Sequence, residues 1–279
     1  MAGIEEAVFK QLIDLIQNDK LILPTLPEIA LRAREIAESP DSSSGDIAKA
    51  INNDPAMSAR IIKVANSPLM RGPREITDIQ MAISRLGLTC ICNLITGLAM
   101  EQMFQATSDV VDKAMRKSWS HATEVAGIAH VLCRHYAPHL KPDQALLAGM
   151  IHEIGILPIL TYAEESSLNI DPITLEKLAE KIHPFVGTKI LEKWGFPSEL
   201  VIVPRYYLKF DRGNESGKAD YTDLVMVANL QSYLNTDHPY TRMDWKKIPA
   251  FARIGIEIGS PEQSEDLGEA LSGATMMLK

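Results

Sequence analysis

Cysteine, aromatic residues and long apolar runs are all scarce in this 279-residue chain. Its three cysteines, Cys90, Cys92 and Cys133, are too few for a disulfide framework or a four-thiolate metal site. That usage fits a reducing cytoplasm. Aromatic residues make up only 6%, so a core must be built from Leu, Ile, Val and Met. The longest charge-free stretch, residues 86–100, falls short of the roughly 20 apolar residues that cross a bilayer. The first residues carry Glu5 and Glu6 and no basic stretch or small-residue cleavage site, so neither a secretion signal nor a membrane anchor is expected. Period-two alternation with hairpin turns is missing, which argues against sheets. There is no Walker loop, no G-x-G-x-x-G and no G-x-S-x-G. The H-E-x-x-H of zinc proteases fails because Ile156 stands where its second histidine would fall.

What is present is helical periodicity almost throughout. Ile4, Val8, Leu12, Leu15 and Ile16 form one stripe. Asp54 followed by Pro55 opens a helix that Pro68 closes, and Thr77 is placed to cap a helix ended by Gly87. A long pattern runs from Val110 to Tyr136, and Pro142 opens another helix containing His152 and Glu153. DPITLEKLAEKI and HPFVGTKILEKWG read as two shorter helices, the second opened by His183. The expectation is an all-α protein of about a dozen helices, with its best internal boundary in the polar loop near 105–109.

Net charge is −8, distributed as −3 over residues 1–105, −1 over 106–256 and −4 over 257–279. An acidic chain repels phosphate backbones, so nucleic acid is a disfavoured partner. Arg60, Lys63, Arg71 and Arg74 make a local basic face that suits a phosphate or an acidic partner, though solvated charges are the simpler reading. Cys90 and Cys92 read as small apolar residues, and Trp119 and Trp194 as packing anchors.

Seven histidines occur, and their placement matters more than their number. His152 and Glu153 are neighbours between Gly149 and Gly155, and both can touch one object only if it is small and lies between their directions. A metal ion meets that requirement, and imidazole with carboxylate suits zinc, iron or manganese. Taken singly, a mid-helix histidine such as His121 is more often a hydrogen-bonded core or surface residue. An asparagine such as Asn229, among Val225, Met226 and Leu230, is more often a satisfied core group.

Six segments, in order, resemble the HDOD family of bacterial output domains related to HD phosphohydrolases: LPTLPEIALRAREIA, INNDPAMSARIIKVANSPLM, ITDIQMAISRLGL, SHATEVAGIA, ALLAGMIHEIGILPIL and HPFVGTKILEKWGFPSEL. The resemblance covers about residues 21–234. It implies a two-lobed helical bundle, with N-terminal helices (about 21–105) packed on an HD-like half (about 106–234). Residues 1–20 would form a preceding helix and 235–279 an extension with an acidic tail. The metal positions of HD enzymes fall on His121, His152 with Glu153, and Asn229. Where the family pattern has Asp at the last two positions, this chain has Glu153 and Asn229. His183 matches a histidine that the cyclic-dinucleotide-hydrolysing relatives use for a second metal. Their following His-His pair is replaced near Arg205, Tyr206 and Tyr207, and their GYP signature is missing. The resemblance therefore implies a regulatory, non-enzymatic signalling module in bacteria, with a cleft between the lobes binding another signalling protein or an effector such as a cyclic dinucleotide. The alternative it carries is a metal-dependent phosphohydrolase with one divalent transition ion.

Overall fold

A computed structural model describes residues 2–256 except 19, 53, 69 and 167–170. Among the described residues there is no strand. The helices, in chain order, are α1 (Ala2–Gln17), α2 (Glu28–Glu38), α3 (Ser44–Asn52), α4 (Pro55–Ala65), α5 (Ile79–Leu86), α6 (Leu88–Met100), α7 (Asp109–Tyr136), α8 (Pro142–Ile151), α9 (Ile156–Glu165), α10 (Pro172–Lys193), α11 (Ser198–Val201), α12 (Val203–Tyr206), α13 (Tyr221–Ser232) and α14 (Pro249–Ile254). The expected all-α class holds.

Local chemistry explains most of the boundaries. Asp54 accepts a hydrogen bond from Met57 N at 2.9 Å and Pro55 opens α4. At α5 the cap is Asp78 rather than Thr77: its carboxylate accepts from Met81 N at 2.8 Å, while the Thr77 hydroxyl donates to Met81 Sδ. Gly87, at φ +86°, ends α5 and opens α6. A bend of 116° separates those two helices, and only glycine takes that φ without strain.

Two regions depart from the sequence reading. Residues 172–193 form one 22-residue helix, with His183 and Pro184 in its middle. Pro184 removes one helical donor, but Leu178, Ala179, Ile182, Val186, Ile190 and Leu191 bury the helix on both sides of it, and that packing holds the helix together. Residues 198–206, within the run SELVIVPRYYLKF, form not one helix but two four-residue turns of helix that meet at Ile202.

One apolar core spans both lobes. Across the seam, Asn93 Nδ2 donates to Asp143 Oδ2 at 2.8 Å, and a Cβ on Gly97 would collide with the Met150 side chain. Arg34 of α2 donates to the carbonyls of Trp194 (2.6 Å) and Gly195 (2.7 Å) and lies over the Phe196 ring. The seam is packed at these residues. Cavities of about 260 and 330 Å³ lie beside residues 15–24, against α10 and α9 respectively, and the second is also lined by Met103 of the N-terminal half.

The stretch Pro142–Glu165 is long and apolar enough to cross a membrane, but 78% of its most apolar window is buried inside the protein. Its apolar surface is spent on the core. The extension expected from residue 235 packs on the HD-like half as far as 256, and the acidic tail 257–279 lies outside the described residues.

Candidate metal centre

Three helices and one turn build the site. His121 lies in α7, one turn after Ser118. His152 and Glu153 occupy the turn between α8 and α9, not the helix interior expected for them. The glycines on either side explain how that turn is held. A Cβ on Gly149 would strike the backbone of Ala126 in α7, and one on Gly155 would strike the His183 carbonyl and Gly187 N in α10. Both contacts need glycine, so the turn is clamped between α7 and α10. Asn229 is supplied by α13, which is fully buried around it.

These elements bring one ligand atom each from His121, His152 and Glu153 within 4.8 Å of one another. His152 is completely buried, and its Nδ1 donates to Gly149 O at 2.6 Å. That bond leaves the lone pair on Nε2, which has no partner. Burial pushes the His152 imidazole down to about 4, so it is neutral at neutral pH. Ser118 Oγ donates to Glu153 Oε2 at 2.7 Å and fixes the carboxylate. His121 Nε2 lies 2.8 Å from Asn229 Oδ1, and Asn229 Nδ2 is left without a partner. The donor set fits one divalent transition ion, because the orphaned nitrogen of a neutral imidazole and an oriented carboxylate converge with a second histidine, His121. His121 Nε2 would join it only by giving up its bond to Asn229.

The fifth expected position, His183, is brought beside this cluster but not into it. It is buried, its imidazole is pushed down to about 3 by that burial, and its Nδ1 has no partner. Tyr207 stands between His183 and the ion site. Its hydroxyl is hydrogen-bonded to His183 Nε2 at 3.1 Å, and its ring packs edge-on against His152 with centroids 4.7 Å apart. Tyr233 stacks on His121 at 5.1 Å, and His238 stacks on Tyr233 at 3.8 Å. Tyr240 donates to Glu180 Oε1 at 3.0 Å and closes the same edge. Ser118, Tyr233 and His238 were not singled out from the sequence. Spacing offered a signal for two of them, since Ser118 is three residues before His121 and Tyr233 four after Asn229.

The four basic residues differ in setting. Arg60 is half-buried, paired with Glu101 and donates to Leu98 O at 3.3 Å. Lys63, Arg71 and Arg74 are exposed, and the Arg74 carbonyl accepts from Arg85. Cys90, Cys92 and Cys133 are free, with thiols pushed up to about 12 by burial, as expected for packing residues.

An all-helical chain with a histidine on a long helix, a buried His-carboxylate pair on a glycine-clamped turn and a late polar residue on a core helix has the layout of an HD-like domain. The HDOD domain model matches residues 23–208, and the chain belongs to that family. A structure from Shewanella amazonensis SB2B, provisionally assigned as a metal-dependent phosphohydrolase, is 30% identical with a TM-score of 0.87, covering 99% of this chain and 100% of that one. An HDOD domain protein of unknown function from Geobacter sulfurreducens shares the fold, at 21% identity and TM-score 0.64 over 92% and 93% of the two chains. An uncharacterised Treponema pallidum (strain Nichols) protein is 23% identical over 250 residues, which are 84% of this chain. The chain spans about half the length of that curated relative (47%).

Proposed function

We propose that the chain is a regulatory HDOD module of bacterial signalling, acting in the cytoplasm by binding another signalling protein or a small effector, and that its inherited site does not turn over phosphoesters. One observation carries this reading: the protein's own side chains fill the site. Asn229 satisfies His121, Tyr207 packs against the His152 ring, and Tyr233, itself covered by His238, stacks on His121, where a substrate phosphate would need to approach an ion. The test is turnover of a phosphoester panel that includes cyclic dinucleotides, with manganese or iron added to the purified chain. No turnover is expected from the wild type. Hydrolysis that His152→Ala abolishes would overturn the proposal. A cyclic-dinucleotide effector predicts a rise in melting temperature with ligand concentration, and no shift at millimolar ligand removes that effector.

A second reading is favoured by the convergence of His121, His152 and Glu153. The provisional assignment of the 30%-identical Shewanella protein points the same way. Here the chain is a mononuclear HD-type phosphohydrolase of phosphoesters or nucleotides. His121, His152 and Glu153 would hold zinc, iron or manganese, and the ion would supply an acidified water as nucleophile. Ser118 and Gly149 would keep the carboxylate and the His152 tautomer aimed. Elemental analysis of protein from native expression separates the two readings further, since this one requires about one transition ion per chain, lost in His152→Ala.

A further inference from the structure

The elements that send His183 and Tyr207 inward present Phe185 and Tyr206 on their outer side. Of the six cation–ring contacts among the described residues, five fall on these two rings. The Arg205 guanidinium bridges them, at 5.8 Å from the Phe185 ring and 6.0 Å from the Tyr206 ring. Lys209 Nζ lies 4.8 Å from Tyr206, Arg212 lies 5.9 Å from the same ring, and Lys189 lies 5.6 Å from Phe185. Two of these cations are already engaged: Arg212 with Asp220 and Asp223, and Lys189 with the Ile16 carbonyl. Arg205 and Lys209 are exposed, and among the described residues neither has a carboxylate within ion-pair distance.

The rings hold these cations in place by their negative faces. A base would need those same faces to stack, so single-stranded nucleic acid is a poor fit, and the net charge of −8 adds repulsion. The remaining chemistry is that of a carboxylate-rich peptide. One such segment is close by. Arg253 of α14 donates to the Arg212 carbonyl at 3.2 Å, which places the last described helix beside the Tyr206 end of the row. Residues 257–269 then carry Glu257, Glu262, Glu265, Asp266 and Glu269, with no basic residue among them. Chain reaches up to about 3.5 Å per residue, so the six residues from Ile256, the last described residue, to Glu262 span up to about 20 Å. That span is longer than the one arginine, Arg212, whose carbonyl meets Arg253 and whose guanidinium faces the Tyr206 ring.

We propose that the Arg205–Lys209 face is the docking surface for the carboxylates of residues 257–269 of the same chain. The experiment is zero-length carbodiimide coupling on the full-length protein, mapped by peptide mass spectrometry. Coupling joins a carboxylate to an amine with loss of one water, so only groups in contact react. The expected product is an amide from Lys209 to Glu262, Glu265, Asp266 or Glu269 within one chain. It should fall several-fold in Arg205→Glu, which keeps the Lys209 amine but reverses the neighbouring charge. It should also fall in 1 M salt, where the screening length is about 3 Å. Because Arg205 is exposed, the variant's melting temperature should match the wild type. The proposal is overturned if no such link forms, if the link is as abundant in Arg205→Glu, or if it joins two chains.

Discussion

Two buried polar clusters in this protein are built from similar materials and reach opposite ends. At the start of α13, Asp223 is completely buried, yet its carboxylate accepts from Arg253 Nε (2.8 Å), Arg253 Nη2 (2.6 Å) and Arg212 Nη1 (3.0 Å). Asp220 caps the helix and takes the rest of the Arg212 fork. None of the buried, unpartnered side-chain atoms among the described residues belongs to it. Near the other end of the same helix, the His121–His152–Glu153–Asn229 cluster with His183 leaves three orphans: His152 Nε2, His183 Nδ1 and Asn229 Nδ2. A buried polar atom without a partner costs stability, and a fold keeps such atoms where something other than stability selected them. The first cluster is a staple that holds the C-terminal extension. The second is the candidate site.

The sharpest way to break this contrast is to cut the staple. Asp223→Ala leaves Arg212 and Arg253, both nearly buried, facing a void, and loss of one partner of a buried pair costs about 3–5 kcal/mol. Denaturant unfolding should register that loss and should expose residues 249–256 to protease first. A loss under 1 kcal/mol would mean that Asp223 is no staple.

Acid should discriminate next. His152 and His130 are held near 4 and His183 near 3 by burial. Each stays neutral in the fold but protonates in the unfolded chain below its ordinary value of about 6.5. Their contribution is complete above pH 6.5 and is lost as pH falls toward 4, by up to about 3 kcal/mol for each of His130 and His152. Melting temperature should therefore drop between pH 6.5 and 4 in the wild type. His152→Leu should flatten that drop by one histidine's share, and an unchanged profile would show that His152 is solvated.

Much of this architecture could be read from the sequence, and what could not has a common cause. Asp54 with Pro55, Gly87 and the long helix ending at Tyr136 are set by neighbours within four residues, so they were legible. The His-Glu pair and His121 were legible through the family's motif order. The course of α10 through Pro184 was not, because its burial is decided by residues far along the chain. Nor was the fate of Arg60, whose partner Glu101 is 41 residues away. Tyr207 was visible only as a replacement for expected histidines. That it plugs the space between His152 and His183 is a tertiary fact.

That plug supports a smaller prediction. Tyr207→Phe keeps the ring against His152 but removes the partner of His183 Nε2, leaving a second orphan on a buried imidazole. The cost should be about 1–3 kcal/mol by thermal or denaturant unfolding. A neutral result would mean that water reaches His183 and that the site is wetter than its burial indicates.

The mildest change in stability bears most directly on what the site has lost. Asn229 stands where the resemblance to HD enzymes places a late aspartate, and its neutral carboxamide lies against His121. Asn229→Asp is nearly isosteric, replaces the orphaned Nδ2 by an oxygen, and adds an anionic donor beside His121 and His152. An ion at this site would gain a charged ligand or a charged orienting partner for His121, and such partners are worth about 10–100-fold in metal affinity. Titration with manganese or zinc, read calorimetrically, should show tenfold or greater tightening over wild type, about 1.4 kcal/mol per factor of ten. The stoichiometry should stay at one ion, because Tyr207 and its bond to His183 still occupy the second position. Two ions per chain would show that the tyrosine yields. No tightening would mean that Asn229 is a core hydrogen-bonding group like any other, and the three orphaned atoms would then mark strain in an abandoned site rather than one that a single substitution can restore.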